Sequence, residues 1–126
     1  MHVGRGQGER GSQLVEAAMI VPVLLLLLAI VADLGSAFYV AIEVIEAARE
    51  GARYGVHEQN STQMCARAMA VARLPPGVTL SCNADAGHGS GTPVRVTVSC
   101  GVPTIMGGLT GRSSIPISHT AAFRIR

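Results

Sequence analysis

Gly11-Ser12-Gln13-Leu14-Val15-Glu16, with the uncharged run Ala17 to Ala32 behind it, is the stretch whose reading decides this fold. The run holds five consecutive leucines, Leu24 to Leu28. As helix it covers about 24 Å, against about 30 Å for the hydrocarbon core of a bilayer. Past Asp33 the apolar character resumes from Leu34 to Ile42, so the length suffices with Asp33 near one edge. An Asp at mid-membrane costs roughly 2.5–3.5 kcal/mol and less near an interface, and leucines at roughly −0.5 kcal/mol each offset it. The sequence predicts one membrane-spanning helix.

The flank before the run sets what kind of helix this is. A secretory signal has an apolar stretch of about 7–15 residues followed by a small-residue cleavage site. Here the stretch is longer, Asp33 interrupts the approach to any such site, and the small residue flanked by charge comes first, at Glu9-Arg10-Gly11. A glycine, four residues, a glutamate and an unbroken apolar helix resemble the class III signal of type IV prepilins, which a membrane aspartyl peptidase cuts after the glycine. That resemblance implies a cut between Gly11 and Ser12, making Glu16 the fifth residue of the mature chain.

Two blocks extend the likeness. Val15-Glu16-Ala17-Ala18-Met19-Ile20-Val21-Pro22-Val23-Leu24-Leu25-Leu26 and Ala47-Ala48-Arg49-Glu50-Gly51-Ala52-Arg53-Tyr54-Gly55 resemble the TadE-like pseudopilins of the tight-adherence (Tad/Flp) pilus system. They lie within Gly11 to Gly55, under half of the chain. The resemblance implies a minor, pilin-like component that assembles or primes the pilus and is not the bulk fibre subunit. Its partners would be the membrane, a prepilin peptidase, other pilins or pseudopilins and the assembly platform. It also implies a role for Glu16, neutralising the new ammonium group of Ser12 in its own chain or a neighbour's. Without the resemblance, Glu16 reads as an interfacial charge favoured by the positive end of the helix dipole.

Composition limits the alternatives. The chain has 126 residues, so a leader and a membrane helix leave room for one compact domain. A net charge of +2, no tryptophan and 3% aromatic residues argue against nucleic acid. The stretch 1–11 is glycine-rich, with Arg5 and Arg10 against Glu9, and reads as a disordered cytoplasmic leader. Charges just past the helix roughly cancel, so the arginines favour an inside N-terminus and an outside C-terminus; the resemblance implies the cytoplasmic (inner) membrane.

The membrane helix should run on to about residue 57. Ile42, Ile45, Ala48, Ala52 and Val56 recur at spacings of three and four and form the expected packing stripe. Residues 58–126 then form the head. Asn60, Ser61 or Thr62 can cap a second helix over Thr62 to Leu74, which Pro75-Pro76-Gly77 ends. Beyond that turn the period becomes two. Val78, Leu80 and Cys82 form one strand face, and Val94, Val96, Val98 and Cys100 another. A third strand lies near Ile115 to Arg126, with Pro116 indicating an edge, and the glycine-rich span Val102 to Arg112 reads as a flexible connection. The fold class is α+β: a long N-terminal helix continuing into a head of one short helix on an antiparallel sheet of about three strands.

Outside the cytoplasm one disulfide would stabilise so small a head by roughly 2–4 kcal/mol. Cys82 is the shared member of the two pairings considered, with Cys100 or with Cys65; three buried, unpaired thiols are the alternative. No C-x-x-C pair occurs and no nucleophile motif surrounds any cysteine, which argues against a zinc site and a thiol enzyme. The reading is a structural protein with no catalytic residues, cofactor, metal or small-molecule substrate. The rival is an uncleaved single-pass envelope protein whose head binds a protein partner; it differs only in keeping its leader.

Overall fold

Three valines at alternate positions, Val94, Val96 and Val98, are fully buried, and the sheet that carries them lies along the second half of a single long helix. The computed structural model describes residues 6–125, with side chains from Gly11 onward. In chain order the elements are α1 (Gly6–His57), α2 (Ser61–Val71), β1 (Leu80–Asp85), β2 (Pro93–Pro103), α3 (Gly107–Thr110) and β3 (Ser114–Arg124). The strands form one antiparallel sheet in the order β1-β2-β3. The fold is α+β, with β3 and its Pro116 at an edge.

Period-two patterning sets the sheet. Along β2 the residues Val94, Val96, Val98, Cys100 and Val102 are buried, while Pro93, Arg95, Gly101 and Pro103 are exposed. The β2–β3 register places Val96 opposite Ala121 and Cys100 opposite Ile117, and on the outer face Thr97 and Thr120 hydrogen bond through their hydroxyls at 2.8 Å. Eleven residues of strand span about 36 Å. The helix from Asp33 to His57 spans about the same. The hairpin therefore splints α1 from the end of its apolar run to its C-terminus.

The packing stripe differs from the one expected. Buried on α1 are Val40, Val44, Ala47, Ala48, Gly51, Ala52 and Gly55, whereas Ile42 is 57% exposed and Ile45 and Val56 are only half-buried. The cause is the closeness of the layers. A Cβ on Gly51 would lie 2.9 Å from the Met64 carbonyl oxygen and 3.0 Å from the Ala68 Cβ; one on Gly55 would lie 2.7 Å from Val94 Cγ1. Contact this close admits only alanine, glycine and two valines, so the larger isoleucines turn away.

The remaining elements close the head. Asn60 caps α2, its side-chain oxygen accepting from the Thr62 and Gln63 amides at 3.1 and 3.2 Å. The segment after α2 is held to α1 by the Arg73 amide donating to Glu43 at 2.7 Å and the Tyr39 hydroxyl donating to the Arg73 carbonyl at 3.1 Å. Helix α1 contributes Val40, Val44, Ala47, Ala48 and Ala52 to the buried core that the head elements complete. Helix α1 also begins at Gly6, so the expected disorder of the leader fails from Gly6 onward, and its first five residues lie outside the described residues.

Candidate functional site

No large hydrophobic side chain from Leu14 to Leu34 is buried. Leu14, Met19 and Val23 are 71, 72 and 65% exposed, and the five leucines remain open all round the helix. An isolated helix of this composition in water would leave an apolar cylinder uncovered. α1 is long and apolar enough to cross a membrane, the only such helix among the described residues. Gly11, Ser12 and Glu16 all lie on its exposed first turns, and no other element of the head approaches them. The Gly11–Ser12 bond sits within helical backbone, where Gly11 weakens the helix by about 0.8–1 kcal/mol relative to alanine.

The exposed half ends at a built joint. Asp33 is 8% exposed, the single buried charged residue among those described. Its Oδ1 accepts from the Ile105 amide at 2.8 Å and its Oδ2 from the Met106 amide at 3.0 Å. Two charge-assisted bonds from backbone donors satisfy the carboxylate where water is largely excluded. The span Val102 to Arg112, expected to be a flexible connection, is instead ordered at this joint. It contains the single-turn helix α3, which Gly111 ends at φ 72° as its amide donates to the Gly107 carbonyl. The Thr104 hydroxyl donates to the Arg112 carbonyl at 3.1 Å and closes the loop. Sequence reasoning placed Asp33 at an interface but missed its partners. They are 72 and 73 residues away and are backbone amides, which carry no residue signature.

Cys65 on α2 and Cys82 on β1 are joined as a disulfide, their Cα atoms 5.7 Å apart. Cys100 is a free, buried thiol on β2 opposite Leu80, so the pairing of Cys82 with Cys100 is not formed. Burial pushes the Cys100 thiol up from its ordinary pKa, which keeps it protonated and inert. Beside the disulfide, Arg67 stacks 5.3 Å from the centre of the Tyr54 ring, whose hydroxyl donates to Gln63 at 2.6 Å. Among the described residues no three His, Cys, Asp or Glu side chains gather as a metal site.

The arrangement offers a lipid-length apolar surface, a joint and a disulfide-tied head. Neither a curated protein nor a solved structure matches the chain. Residues 11–53 match the family model of the TadE-like protein, a Tad pilus-associated, pilin-like family. The matched span starts at Gly11, runs through the apolar helix and stops amid the small-residue face that packs on the sheet. With one long apolar helix among the described residues, the chain fits a single-pass membrane protein.

Proposed function

We propose, from the premise that residues 11–53 are TadE-like, that this chain is a minor pseudopilin, a non-catalytic structural component used in assembling a Tad/Flp-type pilus. A prepilin peptidase removes the leader after Gly11. The mature chain then waits in the cytoplasmic membrane with its N-terminus inside and its head outside. Glu16 neutralises the Ser12 ammonium of its own or an adjacent subunit. Lateral packing with pilin helices uses the small residues Ala17, Ala18, Ala29, Ala32, Gly35 and Ser36, where backbones approach closely.

One observation carries this reading: the family match covers an apolar helix that the chain leaves uncovered along its first half. Such a surface has two partners in turn, lipid before assembly and neighbouring helices after it. Intact mass and N-terminal sequencing of the membrane-bound protein, with the peptidase present and absent, test the reading. A peptidase-dependent N-terminus at Ser12 is expected. A retained leader would leave the uncleaved envelope protein with a partner-binding head. For Glu16→Ala, membrane insertion is expected to persist while piliation falls; normal piliation would remove the role given to Glu16.

A further inference from the structure

The apolar run up to Asp33 is about 6 Å short of a hydrocarbon core, so the boundary region of the bilayer reaches Asp33 or beyond. At that level two apolar surfaces stand side by side. On α1, Leu34 and Phe38 are 51 and 69% exposed. On the β2–β3 tip, Ile105 and Leu109 are 71 and 76% exposed, more than any large hydrophobic residue elsewhere in the described head. Asp33 fixes the height of the tip by its two bonds to Ile105 and Met106. Ile30, one turn deeper in the apolar run, lines the same groove as Met106 and Thr110, so the tip extends past Asp33 toward the lipid. Arg112, exposed, closes the tip.

We propose that the Thr104–Arg112 tip is a second membrane contact, with Ile105 and Leu109 seated at the boundary between headgroups and acyl chains beside α1. The occupant is the bilayer itself. The tip is bonded to the helix where the apolar run ends, and its most exposed residues have the chemistry of that boundary. Arg112 then lies at headgroup height, where a guanidinium meets lipid phosphate. Asp33 is covered from lipid by the same loop, which explains how a carboxylate interrupts an apolar helix without facing hydrocarbon. The inference rests on α1 spanning the membrane.

The chain has no tryptophan, so single introduced tryptophans report depth without background. The full chain would be reconstituted in phosphatidylethanolamine–phosphatidylglycerol vesicles as Leu109→Trp, Leu25→Trp or Gln59→Trp. Lipids brominated in the acyl chain should quench Leu109→Trp to within roughly two-fold of Leu25→Trp, as expected for shallow insertion, and leave Gln59→Trp bright. Ile105→Trp repeats the measurement should Leu109→Trp disturb the loop. Quenching at Leu25→Trp alone would overturn the tip contact while leaving the membrane helix standing. A blue-shifted but unquenched Leu109→Trp would place the tip against protein, a second copy of the chain in these vesicles, and also overturn it. No quenching at either site would remove the spanning helix, and the inference with it.

Discussion

Helix α1 is one continuous element serving two environments, and its halves are built on opposite rules. From Leu14 to Ala32 it carries large aliphatic side chains on every side, and none is buried. From Asp33 onward it is one-sided, and the buried side is assembled from alanine, glycine and small valines. In the first half, side-chain bulk is exposed to whatever surrounds the helix. In the second, bulk is excluded because the sheet and α2 approach the backbone itself. Hydrophobicity alone does not distinguish the halves; the size of the residues does.

Substitutions can break or sharpen that contrast. The largest effect should come from Gly51→Val, which sets new atoms against the Met64 carbonyl and Ala68. A loss of about 3 kcal/mol or more is expected in urea unfolding of the detergent-solubilised chain; a loss under about 1 kcal/mol would mean the layers can separate. Removing the Cys65–Cys82 bridge, as the double serine variant, should cost about 3 kcal/mol, given its 17-residue separation. The same urea titration under reducing conditions should reproduce that figure without mutation.

Asp33→Ala probes the joint between the halves. It leaves the Ile105 and Met106 amides without an acceptor and should cost about 2 kcal/mol. Hydrogen exchange at those two amides should rise in step, and unchanged protection would show that the tip is held by something else. Smallest, and opposite in sign, is Gly35→Ala. Nothing lies within 4 Å of its added methyl, so the helix should gain about 0.5–1 kcal/mol. If Gly35 also serves close helix approach during assembly, the same variant should lower piliation while raising stability, which separates the two uses of the residue.

The sequence was most informative where one physical rule acted alone. Alternating valines set β2, the polar run Asn60-Ser61-Thr62 marked the start of α2, where Asn60 is the cap, and Pro116 identified the edge strand, since each depends only on near neighbours. The stripe on α1 was misplaced because isoleucines dominate any reading by hydrophobicity, while the buried face was selected for smallness. In the tip, glycine content suggests a freedom that the structure does not have. Gly111 ends a turn and Gly107 is closed in by the Thr104 hydroxyl and the Arg112 carbonyl, both within 2.9 Å of where its Cβ would stand. Gly11 and Glu16 could be singled out as a spacing, but the roles proposed for them involve a peptidase and neighbouring subunits outside the chain.

The splinting of α1 by the hairpin has a mechanical consequence. The head does not hang from the membrane by a swivel; it is fastened along its supporting rod. Orientation of the head is then slaved to the tilt of one helix. A rod of about 36 Å turned through about 20°, an ordinary tilt for a membrane helix, carries its far end sideways by about 12 Å. Any packing of neighbouring rods that sets their crossing angle therefore also sets the angular position of every head, with no motion inside the head itself.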